Sequence, residues 1–366
     1  MSLKNNKPKD HKFFMNLALL QARKNLGNTS SNPAVGCAIV KKNNLISLRS
    51  TSLLGRPHAE NNAIKHAVEK VNGSYLYSTL EPCSNYGVTP PCVNKIIRNK
   101  IKKVFFGIND PDLRSFNKSL KKFKKKKVKY LKGINAKDIT LFYRSYLKAK
   151  NNSLPFVTCK IAISKDFFIK NYKKKFVTNY SSRSRVHLMR SQHDSLITSI
   201  NTIIDDNPKL NCRIEGLTNF SPHIFILDKN LKLPLKTYIV KNSIKSKITV
   251  FYNKTDSKKI NLLKQKKIKL IKIDLKNNQI DLLKVLYTIK KLGFSRLFLE
   301  TGLRLTESFL KNNLVDDFYL FISKKKLSNH GKLNFKKTLN LYLKNKKFIF
   351  ENVNLFGDQL LFYRLK

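Results

Sequence analysis

His58-Ala59-Glu60 stands upstream of Pro82-Cys83 and, eight residues beyond that cysteine, Pro91-Cys92. One imidazole and two thiolates supply three protein ligands for a tetrahedral Zn2+ and leave the fourth position open. A water held there would have its pKa lowered by the metal and would supply hydroxide near neutral pH. Glu60 lies two residues past the imidazole, in the first turn of the helix that His58 is predicted to open. From there a carboxylate reaches that water without occupying the metal and can carry its proton to a leaving amine. Both cysteines are expected near a helix N-terminus, which favours the thiolate.

His-Ala-Glu alone is a weak signal. Followed by Thr-Leu-Glu-Pro-Cys and a second proline-led cysteine it matches the H-x-E…P-C pattern of zinc deaminases, with a C-x8-C loop replacing the compact C-x-x-C. A second constellation lies downstream. The stretch from Ser195 to Arg213 reads as an apolar strand running into a polar loop with Thr202, Asp205, Asp206 and Pro208. Taken alone it is equally a strand end with a turn. Its functional reading sets hydroxyl and carboxylate against a ribose, and Arg190 and Arg213 against a phosphate, which guanidinium binds bidentately. In Arg296-Leu-Phe-Leu-Glu300-Thr-Gly302, a buried strand meets a glycine turn and then a helix, whose first N–H groups can hold a cofactor phosphate. Glu300 sits at the strand's carboxyl end, where ligands of open α/β sheets bind.

The elements that must position these groups alternate. Phe13, Phe14, Leu17 and Leu20 predict a helix over 11–25, and AVGCAIV (34–40), YLYSTL (75–80) and KVFFGI (103–108) predict strands. Residues 58–70 and VNKIIRN (93–99) read as helices, and the Lys-rich stretch 118–132 as a solvated face. A polar, proline-containing linker around Lys150–Pro155 separates a domain at 1–149 from another at 150–366. The second predicts strands at FVTCKIAI, SLITSI, HIFILD, KITVFYN, KIKLIKI, RLFLE and DFYLFIS, with helices near 181–193, 279–292 and 304–313. Both halves are α/β, the second around a mostly parallel sheet.

The chain has 366 residues, and 74 Lys+Arg against 22 Asp+Glu give a net charge of +52. Charge of that size points to a polyanion partner, but the lysines are interleaved with Asn and Ile along the whole length rather than gathered in an arm. Compositional drift accounts for that texture, and no specific nucleic-acid partner is expected. No apolar run reaches the ~20 residues of a membrane span. Five scattered cysteines exclude a secreted disulfide scaffold. A cytoplasmic protein without a membrane partner is expected.

NPAVGCAIV, RPHAENNAI, STLEPCSNYGVTPPC and INDPD together resemble the bifunctional deaminase–reductase family of riboflavin biosynthesis, over about residues 10–148. The resemblance implies a cytidine-deaminase-like fold in which His58, Cys83 and Cys92 bind zinc, Glu60 donates the proton and Asn32 lines the pocket. Asn85 replaces the family's usual His and Val88 its usual basic residue. The second half resembles the family's reductase domain, which implies a dihydrofolate-reductase-like fold and NADPH. By that resemblance Ala162, Phe176, Thr202, Asp206, Gly302, Leu303, Arg304, Leu305 and Thr306 contact the cofactor. Arg190, Leu210, Arg213 and Glu300 contact the phosphorylated pyrimidine substrate. Here Ser164-Lys165-Asp166-Phe167 loses the glycine of the usual Ser-x-Asp-Gly, and Lys174 stands where a substrate-binding Ser is usual.

The implied activity is hydrolytic deamination of 2,5-diamino-6-ribosylamino-4(3H)-pyrimidinone 5′-phosphate, followed by reduction of the ribosyl group to ribityl, with homo-oligomerisation open. Two other readings stand beside it at this level. One is a deaminase carrying a decayed reductase domain, the other a tRNA or nucleoside deaminase with an RNA-binding domain.

Overall fold

A computed structural model describes residues 10–173, 176–255 and 257–366, so Lys174 lies outside the described residues. The chain forms two compact units, residues 1–152 and 153–366.

The first unit is built on a five-stranded sheet in the order β2-β1-β3-β4-β5. Its strands are β1 (Gly36–Lys41), β2 (Asn44–Ser50), β3 (Tyr75–Leu80), β4 (Lys103–Ile108) and β5 (Lys129–Lys132). β1 runs antiparallel to both β2 and β3, while β3, β4 and β5 are parallel. The helices are α1 (His11–Arg23), α2 (Ala59–Lys65), α3 (Cys92–Arg98), α4 (Lys118–Lys125) and α5 (Ala136–Asn151). Asp10 caps α1 by accepting from the Lys12 and Phe13 N–H groups, and Phe14, Met15, Ala18, Leu19 and Ala22 form its buried stripe. The helix lies so close to β1 that a Cβ on Gly36 would stand 1.8 Å from the Ala18 carbonyl oxygen. Only glycine fits there. The stretch read as a solvated face is in fact α4 and β5, with Phe123 and Ser119 of α4 buried. The sequence reading lacks α5. This helix runs through Lys150 and Asn151, so the polar stretch near 150 begins as helix.

The second unit holds a nine-stranded sheet in the order β11-β10-β9-β8-β14-β6-β15-β18-β17. In chain order its elements begin with β6 (Phe156–Ile163), β7 (Phe168–Asn171), α6 (Tyr180–Ser191), β8 (Ser195–Ser199), α7 (Ile200–Asp206) and β9 (His223–Leu227). α8 (Tyr238–Lys241), α9 (Ser243–Ser246), β10 (Ile248–Tyr252), α10 (Ser257–Gln265), β11 (Lys269–Lys272), β12 (Leu275–Lys276) and β13 (Gln279–Ile280) follow. Then come α11 (Leu282–Lys291), β14 (Arg296–Glu300), α12 (Leu303–Lys311), β15 (Asp317–Ile322), β16 (Gly331–Asn334), α13 (Lys336–Tyr342), β17 (Phe348–Phe350) and β18 (Gln359–Arg364). Strands from β11 to β15 pair in parallel, and β18 and β17 close the far edge antiparallel.

The continuous apolar runs of the central strands follow from burial on both faces. On β14, Leu297 and Leu299 enter one core while Phe298 enters the other, and Ile197 and Leu196 of β8 divide the same way. The segment after β8 is a short helix rather than the polar loop read from sequence. Ser199 caps it by accepting from the Thr202 N–H, which converts the polar run into a helical turn.

Candidate active sites

In the first unit His58 is the N-cap of α2, in extended conformation. α2 is pinned there by Asn62, whose amide donates to Ser50 O, Ser52 Oγ and Pro57 O. Cys83 follows the end of β3, and Cys92 is the first residue of α3, with its backbone N–H donating to Cys83 Sγ at 3.3 Å. His58 Nδ1 lies 3.4 Å from Cys83 Sγ and 3.5 Å from Cys92 Sγ. Tetrahedral zinc bonds of about 2.0–2.3 Å require ligand atoms about 3.5–3.8 Å apart. The three donors therefore fit that ion. The hydrogen bond from the Cys92 thiol, with His58, holds Cys83 down to about 4, whereas that same bond and burial keep Cys92 well above the ordinary thiol range.

Glu60 is 3% exposed and accepts from Ser78 Oγ at 3.4 Å. Burial, then the Cys83 charge, push its carboxyl up to about 7, where it can both take and give a proton at neutral pH. Asn32 turns its amide to Gly55 O at 3.1 Å and so braces the loop leading to His58. Asn85 donates to Ser115 Oγ, and Val88 is 86% exposed.

The second unit gathers its charged groups at the carboxyl ends of β6, β8 and β14. Glu300 receives a bidentate pair from Arg190 (Nε–Oε2 2.8 Å, Nη2–Oε1 2.9 Å), and Lys160, its register partner on β6, lies 3.6 Å away. Burial alone would raise the Glu300 carboxyl, but Arg190 and Lys160 hold it down to about 2. Arg190 is 8% exposed and its Nη1 is taken by Asn211 O, so its fork is committed to Glu300. Arg213 is exposed, and among the described residues its recorded hydrogen bond is to the nearby Asn211. It remains the guanidinium open to a phosphate. Thr202 Oγ1 is 3.1 Å from Ser199 Oγ and 3.5 Å from Thr301 Oγ1. Lys170 pairs with Asp205 at 2.7 Å and Asp206 at 3.6 Å. A Cβ built on Gly302 meets nothing within 4 Å, leaving the N-terminus of α12 open to approach. Phe176 is exposed, with the Arg183 guanidinium 4.4 Å above its ring.

The matched families agree with this division. Residues 8–108 match the cytidine and deoxycytidylate deaminase zinc-binding region, and residues 155–359 match the RibD C-terminal domain. The chain belongs to the RibD family. Riboflavin biosynthesis protein RibD of Aquifex aeolicus is 31% identical over 86% of this chain and 87% of its own length. The RibD of Buchnera aphidicola is 29% identical over 95% and 96%. Among solved structures, Acinetobacter baumannii RibD superposes with TM-score 0.81 at 27% identity, covering 96% of this chain and 98% of that one. A diaminohydroxyphosphoribosylaminopyrimidine deaminase/5-amino-6-(5-phosphoribosylamino)uracil reductase of Thermotoga maritima gives 0.80 at 26%, with the same coverage. This RibD chain is a bifunctional enzyme of riboflavin biosynthesis, a zinc-dependent deaminase followed by an NADPH-dependent reductase. Its fold class is α/β in both halves.

Several residues assigned to the reductase site have side chains turned into the cores. The Leu210 side chain is 3% exposed and packs in a core, at φ 52°. Thr306 is fully buried, and its N–H donates to Gly302 O inside α12. Leu303 and Leu305 pack against a core, and Ala162 is half-buried against the other, which leaves Arg304 as the exposed side chain of that turn. Thr306, Phe309 and Leu310, at i, i+3 and i+4, form the buried face of α12. Two polar groups of the Glu300 cluster escape the sequence reading. Lys160 interrupts the otherwise apolar β6, and that break in pattern is the available signal. His187 lies 3.3 Å from Arg190 Nη1, and burial with the nearby arginines pushes it down to about 4. In the deaminase half the group that escapes is Glu81. Buried beneath the Cys83 loop, it accepts from Asn109 Nδ2, Asp110 N, Asn117 N and Ser119 Oγ.

Proposed function

We propose that the substrate is 2,5-diamino-6-ribosylamino-4(3H)-pyrimidinone 5′-phosphate and that the two sites act on it in succession. The observation that carries this reading is the pairing, in one chain, of a His-Cys-Cys cluster over a buried Glu60 with an Arg190–Glu300 pair beside an open Arg213. His58, Cys83 and Cys92 would hold zinc, which supplies an activated water when bound. Glu60 takes a proton and returns it to the leaving amine, and its elevated carboxyl pKa suits both steps. The ring carbon exchanges its amino group for oxygen, and ammonia departs.

For the second step NADPH, when bound, would supply the hydride taken up by the ribosyl carbon, and solvent the proton taken up by the ring oxygen as the ring opens. Arg213 binds the substrate phosphate, and Glu300, fixed by Arg190 and Lys160, presents an oriented carboxylate to the sugar. Thr202, Asp206 and the open start of α12 hold the cofactor, with the Gly302 backbone accessible to it. Domain limits of 1–149 and 150–366 are retained for these two activities.

A cytoplasmic setting is part of this reading, in which Cys83 and Cys92 serve as metal ligands rather than as a disulfide. No helix among the described residues is long and apolar enough to cross a membrane. The partner we assign is the phosphorylated pyrimidine alone, with neither specific nucleic acid nor membrane.

The test is incubation of zinc-loaded protein with this pyrimidine, with and without NADPH, and identification of products by mass. Exchange of the amino group for oxygen with release of ammonia is expected without NADPH, and the same exchange plus the gain of two hydrogens with it. Deamination of a tRNA adenosine instead would overturn the reading.

A further inference from the structure

Arg56 has no part in the chemistry described above, yet it stands at the mouth of the zinc cluster. It lies two residues before His58, and its Nη1 donates to Thr89 Oγ1 at 2.8 Å, three residues before Cys92. The side chain therefore spans the two segments that present metal ligands. Its guanidinium also overhangs the C-x8-C loop, since a Cβ built on Gly87 would lie 3.6 Å from Nη2.

A guanidinium has donors on all three of its nitrogens. Among the described residues the Thr89 bond is the one polar contact recorded for Arg56, and no carboxylate pairs with it. The other cation directed at this loop, Lys122 of α4, is committed: its Nζ donates to Ser84 O at 2.7 Å. Val88, exposed on the loop itself, carries no charge. Among the described residues Arg56 is thus a half-buried cation at this rim with no carboxylate partner, anchored at one nitrogen by Thr89. Its planar fork matches a phosphate monoester.

We infer that Arg56 binds the 5′-phosphate of the substrate at the deaminase site. The inference rests on the substrate proposed above. The Thr89 contact holds the fork in place before substrate arrives, so less rotamer freedom is lost on binding.

The test compares ammonia release from the phosphorylated pyrimidine and from its dephosphorylated form, using full-length zinc-loaded protein. Arg56→Ala should raise KM for the phosphorylated form about 10–100-fold, as loss of a charge-assisted contact does, with kcat within a few-fold. KM for the dephosphorylated form and zinc content should stay as in wild type. Val88→Arg added to Arg56→Ala should recover most of the loss, because it returns a cation to the same rim from the opposite segment. Thr89→Val removes the brace but leaves the cation, and should raise KM for the phosphorylated form only a few-fold, the cost of the lost pre-organisation. If Thr89→Val reproduces the Arg56→Ala defect, Arg56 is only a loop brace and the inference falls. Equal wild-type KM for the two forms overturns it as well. Wild-type turnover of neither form overturns the substrate assignment instead. Should Arg56→Ala fail to fold, Arg56→Lys keeps the charge without the fork. A KM rise confined to the phosphorylated form then supports phosphate binding by the fork, and an unchanged KM refutes it.

Discussion

The deaminase and reductase sites of this chain are built by opposite strategies. The zinc cluster draws its ligands from one stretch of 35 residues, His58 to Cys92, each placed at a strand end or helix start. The reductase cluster brings Lys160, Arg190, Arg213 and Glu300 together from segments up to 140 residues apart. A local site leaves a spacing in the sequence that metal geometry makes interpretable. A dispersed site leaves only residue types, whose partners depend on sheet order.

The departures differ as well. In the first unit the changed residues, Asn85 and Val88, are on the loop between the ligands and leave the donor set whole. In the second, the lost glycine falls where the backbone needs a positive φ, and Phe167 takes it at 72°. The turn nevertheless closes. Ser164 Oγ accepts from the Phe168 N–H, and Asp166 accepts from the Leu327 and Ser328 N–H groups. A domain decayed to a scaffold has no need of a committed Arg190–Glu300 pair beside a free Arg213, and the chain retains both.

The largest contrast is expected from Cys83→Ser. Stoichiometric zinc and deamination should disappear together while NADPH oxidation on the deaminated intermediate persists, checked by metal analysis and absorbance. Zinc retained at one per chain in that variant would remove Cys83 from the ligand set. Glu60→Gln should lower ammonia release by about 10²–10⁴ with zinc kept, since the carboxylate moves protons and is not a ligand. Near-normal release would take Glu60 out of the chemistry.

On the other side, Arg213→Ala should raise KM for the reductase substrate by about tenfold or more and leave deamination unchanged. Equal damage to both activities would mean that the two sites are not independent. The smallest effect is expected from restoring the lost glycine. Phe167→Gly relieves a left-handed backbone costing about 1–2 kcal/mol and forfeits the packing of a half-buried ring of similar worth. Thermal unfolding should therefore shift by only about 1 kcal/mol equivalent, against about 3–5 for truncating the buried Phe318 to Ala. A large gain in NADPH oxidation would show that losing the glycine had impaired the reductase.

The same contrast explains what is legible in the sequence. YLYSTL, KVFFGI, FVTCKIAI and RLFLE coincide with strands because burial on the sheet leaves short apolar runs. The edge strand β17 is not legible in the same way: Phe348, Ile349 and Phe350 are all exposed, so it has no alternation to read. At the sites, the ligand spacing exposes the His58–Cys92 cluster directly. Arg190 reads as a phosphate ligand because nothing in the sequence tells a committed guanidinium from a free one. Only the register that sets Glu300 beside Lys160 separates them.

Glu81 gives the deaminase half a mechanical property. Its carboxylate is shared by the end of β3, the Asn109–Asp110 segment and the start of α4. Withdrawing any one of these leaves a buried charge short of donors, at about 1.5–3 kcal/mol for each bond lost. The three segments are therefore expected to open together, with amide protons across them sharing one opening free energy in hydrogen exchange. Because Cys83 lies two residues from this knot, its place in the cluster is expected to depend on the Asn109 loop staying closed.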